Sequence, residues 1–159
     1  MPLLSTLARK KKINYFFKTI PRSARILEIG CGDGWVANYF KKSGHNNYTG
    51  LDKSPPADII GDIKDWQKLG LMPQSHDVII AFEVIEHVDC LTVCQKLLVP
   101  GGQLMITSPL PHMDWCLKFL ETIGLNQKRS SPHNNLLYLK NISGFRYHNI
   151  RIIGYMAQW

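Results

Sequence analysis

The chain reads as an α/β fold, a single domain on a doubly wound, mostly parallel sheet with helices on both faces, and three observations predict it. Short apolar, β-branched runs alternate with stretches of helical periodicity. Three glycines at alternate positions mark the place where the first of those runs gives way to a helix. An acid, Asp52, closes the second run. With 159 residues, 45% of them hydrophobic and 19% charged, the chain is long enough for one core but hardly two, and too apolar for a disordered or collagen-like segment.

The first element covers residues 3–20, where Leu4, Leu7, Ile13, Phe16, Phe17 and Ile20 oppose the cluster Arg9, Lys10, Lys11 and Lys12. It reads as a basic amphipathic helix within an N-terminal segment of residues 1–24, which either packs on the sheet or lies on an anionic membrane. The basic cluster interrupts the apolar stretch in its middle, the wrong order for a secretory signal, and no run approaches the roughly 20 apolar residues a spanning helix needs. A cytoplasmic protein is therefore expected, peripheral to a membrane if that helix lies on one.

The domain proper spans residues 25–159. Its strands are predicted at residues 25–29, 48–51, 59–60, 77–82 and 103–107, whose nearly continuous apolar character suits burial on both faces. Helices are predicted between and after them: 35–42 on Val36, Tyr39 and Phe40; 89–98 on Val93, Leu97 and Leu98; 113–123 on Trp115, Leu117, Phe119, Leu120 and Ile123. Pro55 and Pro56 break the chain after Asp52, and Pro100, Gly101 and Gly102 stop a helix and launch the run from Gln103. After Pro109 come one clear helix, a polar stretch at 126–135 and a strand-like segment at 149–155. Only 15 residues follow Gly144, so a full antiparallel pair is tight there, and the sheet is expected to lack its last strand or the chain to stop short of it.

The net charge of +7 is unevenly spread. Residues 1–25 carry +7 without an acid, residues 26–121 carry −5, and residues 122–159 carry +5 without an acid. Basic ends around an acidic middle admit an anionic partner, whether nucleic acid, a phospholipid surface or a phosphorylated substrate, as well as a plain solvated face. The four cysteines, Cys31, Cys90, Cys94 and Cys116, show neither a C-x-x-C pair nor zinc-ligand spacing, which points to free thiols in a reducing compartment. Cys90 and Cys94 fall one helical turn apart, as two small core-facing residues do.

The chemistry concentrates around Glu28-Ile29-Gly30-Cys31-Gly32-Asp33-Gly34-Trp35. Glycines at a strand-to-helix turn let a ligand approach the main chain, and the opening of the helix offers free N–H groups. Asp52, 18 residues beyond Gly34, is placed to accept from a ribose diol. The loop reads G-x-G-x-G and not G-x-G-x-x-G, and Trp35 at the third-glycine position would crowd a pyrophosphate, which disfavours a nicotinamide-dependent oxidoreductase.

Four motifs in order, 27–34, Gly50-Leu51-Asp52, 76–79 running into 82–88, and 98–104, make the chain resemble the class I S-adenosylmethionine-dependent methyltransferases, in particular the broad group with the ubiquinone-pathway O-methyltransferases. The resemblance covers residues 26–109 and implies a Rossmann-like, seven-stranded type of sheet with S-adenosylmethionine across its carboxyl edge. It implies a cofactor site of Glu28, Gly30, Cys31, Gly32, Asp33, Asp52, Lys53, Asp62, Ile63, Phe82 and Glu83. In it Gly30 and Gly32 face the methionine part, Asp52 the ribose, Lys53, Asp62 and Ile63 the adenine, and Phe82 and Glu83 the wall near the sulfonium.

The string Glu83-x-x-Glu86-His87 puts two carboxylates and an imidazole within one helical turn, suited to a general base or to a divalent cation. Glu86 and His87 are taken as the catalytic candidates. The small-RNA 2′-O-methyltransferases resemble this string and add a later histidine as a metal ligand, for which His133 and His112 are candidates, but many enzymes of the broad group carry it without a metal, so no metal residue is assigned. The acceptor is read as large or surface-bound, a glycan or lipid-linked intermediate, RNA or protein, because the additions to the core are few. Trp115, Phe119 and Tyr138 are candidates to touch it, although aromatic residues at such positions are more often core. The alternative is a catalytically degenerate cofactor-fold module acting with a partner, against which the intact Gly30, Gly32, Asp52 and Glu83 argue.

Overall fold

The structure, a computed structural model, describes residues 3–124, 138–146, 149–153 and 157–159. Four helices, α1 (Leu3–Phe16), α2 (Trp35–Lys42), α3 (Leu91–Leu97) and α4 (Asp114–Thr122), flank strands β1 (Ile26–Ile29), β2 (Tyr48–Asp52), β3 (Ile59–Ile60), β4 (His76–Phe82), β5 (Leu98–Pro109), β6 (Ile152–Ile153) and β7 (Ala157–Gln158). The sheet order is β3-β2-β1-β4-β5-β7-β6, parallel from β3 to β5, with β7 antiparallel to β5 and β6 antiparallel to β7. This is the doubly wound sheet predicted. Among the described residues no helix is long and apolar enough to cross a membrane.

Strand alternation divides the core in two. Leu27, Ile29, Ile79 and Ala81 point to one face and pack with Cys90, Cys94 and Leu97 from the α3 side. Ile26, Val78, Ile80 and Phe82 point to the other and pack with Phe17, Ile20, Val36 and Phe40. All four residues of β1 and the last five of β4 are buried, as strands covered on both faces require. Cys90 and Cys94 are indeed small core residues, each 0% exposed.

Several expectations need correction. Pro100-Gly101-Gly102 does not launch a strand; β5 begins at Leu98, and its register on β4 jumps from His76–Leu98 to Val78–Gln103, so the Pro-Gly-Gly segment is an irregularity within the strand. Gly102 fits there because a Cβ would lie 3.0 Å from the Val99 carbonyl oxygen. The final antiparallel pair is present, as β6 and β7 of two residues each. Trp115, Phe119 and Tyr138 are not core residues: they are 68%, 58% and 37% exposed.

Candidate active site

The chain leaves β1 for β2 and β3 on one side, then returns to place β4 on the other. Two consecutive connections that part in opposite directions open a crevice beyond the carboxyl ends of the strands between them. Three segments reach it: the glycine turn after β1, Asp52 and Lys53 at the end of β2, and Phe82 with Glu83 at the end of β4. An open pocket lined by Arg25, Asn47, Tyr48 and His76 lies at the opposite, amino-terminal end of the strands and has no part in this crevice.

Gly30, Gly32 and Gly34 all hold left-handed angles, with φ of +75°, +51° and +73°. Their roles differ. A Cβ on Gly30 would meet Val84 Cγ2 at 2.5 Å, so its bare backbone lets the turn after β4 pack against the turn after β1. Gly32 has nothing within 4 Å of its Cβ position, which leaves its main chain open to a ligand. The Gly32 N–H donates to Asp52 Oδ2 at 2.8 Å and the Lys53 N–H to Asp52 Oδ1 at 2.6 Å. One donor on each oxygen fixes the carboxylate and leaves it further lone pairs for a vicinal diol.

The other predicted contacts gather around this pair. The Gly61 N–H donates to the Asp52 carbonyl at 2.9 Å, bringing Asp62 and the buried Ile63 beside it. Asp62 accepts from the Lys64 N–H at 3.0 Å, and its other oxygen lies 3.0 Å from Lys53 Nζ. The Lys64 amide, then Lys53, hold the Asp62 carboxyl below its ordinary range. Asp33 accepts from the Trp35 N–H at 3.4 Å at the start of α2. Glu28 is 2% exposed, and burial pushes its carboxyl up to about 8 although the Tyr48 hydroxyl donates to it. Burial also lifts the Cys31 thiol to about 11, so this sulfur is a neutral, inert wall.

The wall after β4 departs from the helical reading of its motif. Glu83 takes φ +56°, and the hydrogen-bonded turn runs only over Val84–Val88, so Glu83, Glu86 and His87 do not share one helical face. Glu83 is tied instead to β5: its N–H donates to the Thr107 carbonyl at 2.9 Å, and its Oε1 accepts from Thr107 Oγ1 at 2.8 Å. Glu86 is 0% exposed, and among the described residues neither carboxylate oxygen makes a well-formed hydrogen bond, although the Ser108 hydroxyl lies near enough to favour its charged form. Burial, then the charge of Glu83, push its carboxyl up to about 8. His87 is half-buried. Among the described residues no three His, Cys, Asp or Glu side chains converge as metal ligands. His133 lies outside the described residues, and His112 Nδ1 lies 3.1 Å from the Tyr138 hydroxyl.

Of the cations at this site Lys53 was expected from its motif, whereas two others, both from α1, were not. Arg9 Nη2 lies 2.7 Å from Asp33 Oδ2, and Lys12 Nζ lies 2.9 Å from Glu83 Oε1. Each cation also covers a ring, Arg9 at 5.3 Å from the Trp35 centroid and Lys12 at 4.8 Å from that of Phe82. The signal in the sequence was Arg9 and Lys12 three positions apart on one helix face, opposite acids that no nearby residue neutralises.

Residues 5–149 match a family model described as a methyltransferase domain. The fold is similar to that of a SAM-dependent methyltransferase from Archaeoglobus fulgidus, at 22% identity and TM-score 0.58, over 81% of this chain and 62% of that one. It is similar also to a Pyrococcus horikoshii protein at 16% identity and TM-score 0.58, over 98% and 86%. An S-adenosylmethionine-dependent methyltransferase from Mesorhizobium loti matches at 24% identity and TM-score 0.46, over 58% of this chain and 50% of its own. The chain thus spans about half to two-thirds of the first two enzymes named for that activity. No curated protein matches the sequence.

Proposed function

The chain belongs to the methyltransferase-domain family and has the class I, S-adenosylmethionine-dependent fold; from that premise we propose that it transfers a methyl group from S-adenosylmethionine to a large or surface-bound acceptor. The observation that carries the reading is the bond from the Gly32 N–H to Asp52, which joins two separate motifs into one cradle beside an unfilled Cβ position. The residues present fit the cofactor. Asp52 would accept from the ribose, Lys53, Asp62 and Ile63 would border the adenine, the open main chain of Gly32 would admit the methionine part, and Phe82 with Glu83 would form the wall at the sulfur.

The bound cofactor supplies an activated methyl as a sulfonium, so the chain's own task is to position a nucleophile in line and keep water away. His87, half-buried beside Glu86, is suited to receive a proton if the acceptor is a hydroxyl or amine. Glu86, fully buried, acts through its neighbours and is a positioning residue. A large or surface-bound acceptor, whether glycan, lipid-linked intermediate, RNA or protein, agrees with the exposed Trp115 and Phe119 on α4, the helix that follows the carboxyl end of β5.

Calorimetric titration with S-adenosylhomocysteine tests the reading. The wild type is expected to bind, Asp52→Ala to lose at least about tenfold in affinity, and His87→Ala to bind within about twofold while its turnover falls about 10²-fold. A wild type that does not bind overturns the reading in favour of a degenerate module. An unchanged turnover in His87→Ala removes the proton-acceptor role.

A further inference from the structure

Asp33, Asp52 and Glu83 stand on the turns that reach the crevice, Glu28 and Glu86 are buried in the same elements, and besides Lys53, which lies 3.0 Å from Asp62, two cations reach in from α1. Lys12 is the more enclosed of these: the residue is 8% exposed, its Nζ lies 2.9 Å from Glu83 Oε1, and the Phe82 ring lies beneath it at 4.8 Å. The same Glu83 oxygen accepts from Thr107 Oγ1 at 2.8 Å. The carboxylate at the wall is therefore already matched by a cation of the chain itself. The charge of Lys12 also reaches Glu28 and Glu86.

A sulfonium donor and its thioether product have nearly the same shape but differ by one positive charge at sulfur. A site tells them apart chiefly through its electrostatic field at that atom. An unbalanced carboxylate favours the donor, and a cation held against that carboxylate cancels the preference. We propose that Lys12 is a specificity-determining residue, which by pairing with Glu83 lowers the crevice's preference for the sulfonium donor over the neutral thioether product. The inference rests on the reading that this crevice takes S-adenosylmethionine. It has a physical rationale in the reaction, because positive charge leaves sulfur as the methyl departs, and a wall that held the sulfonium tightly in the ground state would raise the barrier. No contact of this kind follows from the glycine turn or from Asp52, which serve donor and product alike.

The test is the ratio of the dissociation constants of S-adenosylhomocysteine and S-adenosylmethionine, each titrated calorimetrically into wild type, Lys12→Met, Lys12→Arg and Glu83→Gln in about 50 mM salt. Lys12→Met, an apolar chain of similar length over the Phe82 ring, is expected to raise the ratio by about tenfold in favour of the donor. Lys12→Arg should keep it within about threefold, and Glu83→Gln should shift it towards the product. Added salt of about 0.5 M should shrink the Lys12→Met effect. A wild type that binds neither ligand overturns the reading of the crevice and the proposal with it. A wild type that binds, with a ratio unmoved in Lys12→Met, overturns the role of Lys12 alone. Should Lys12→Met not fold, Glu83→Gln decides the matter, since a ratio unmoved in it overturns the proposal equally.

Discussion

Glu86 sits at 0% exposure and among the described residues neither oxygen makes a well-formed hydrogen bond, an arrangement that a neutral carboxyl tolerates better than a carboxylate. Its neighbour Ser108 is equally enclosed, and its hydroxyl, near enough to favour the Glu86 carboxylate, makes no well-formed hydrogen bond among the described residues. Burial and the charge of Glu83 raise the Glu86 carboxyl from 4.5 to about 8 in the folded chain. A raised carboxyl means that the folded state binds more protons than the unfolded one between those two values. This group's contribution to stability is thus greatest below pH about 4.5 and declines as pH rises towards about 8. Glu86→Gln is expected to remove that decline, so urea unfolding across pH 5 to about 9 should show the variant gaining on the wild type as pH rises. Parallel stability profiles for the two proteins would mean that Glu86 is charged and paired in solution. Reading the sequence as a helical turn placed this residue at the reacting centre, and its depth became visible only when Glu83 turned left-handed.

Between elements, the glycine turn after β1 and the turn after β4 are one assembly, because Val84 fills the space that a Gly30 side chain would take. Gly30→Ala combines an unfavourable left-handed angle, about 1–3 kcal/mol, with an overlap that costs a similar amount. Gly32→Ala carries the angle without the overlap. Denaturant unfolding should therefore show Gly30→Ala the more destabilised by about 1–3 kcal/mol, and Val84→Ala should recover part of that loss in a double-mutant cycle. Equal losses in the two glycine variants, or no coupling to Val84, would contradict the packing role. Affinity for S-adenosylhomocysteine should fall in Gly32→Ala, whose new methyl enters the open side of the turn. The alternating glycines were legible in the sequence, but their division of labour was not, since it depends on a side chain 54 positions away.

At the scale of the whole molecule, stability is centred on β1, β4 and the carboxyl-terminal part of β5, where the sheet is most fully covered. The far edge is thin: β6 and β7 contribute two residues each, and β7 meets β5 through Ser108–Gln158 and Pro109–Ala157. Gln158 reinforces that edge by accepting from the Leu139 N–H at 2.9 Å and donating to the Pro109 carbonyl at 3.3 Å. Hydrogen exchange is expected to be slowest in 26–29 and 78–82 and to begin in α4, β6 and β7. Uniform protection across the sheet would contradict this gradient. The end of α1 packs beside that edge, with Tyr15 and Phe16 each 5.8 Å from the Trp159 ring, while Phe16 and the Phe17 that follows the helix pack with Phe82, and Arg9 and Lys12 draw α1 onto the crevice.

The sequence by itself determined the parallel sheet, the place of its crevice and the cradle of Gly32 and Asp52. Each of these is written in local chemistry, in continuous apolar runs, glycines that tolerate left-handed angles and an acid at a strand end. Only the tertiary structure decided where the charges go. Lys12 and Glu83 stand 71 positions apart, Tyr48 and Glu28 stand 20 apart, and Thr107 reaches Glu83 across 24. Pairs at such separations leave no periodic trace along a chain, because what joins them is the packing of α1 on β4 and of β1 beside β2 and not any spacing the residues themselves repeat.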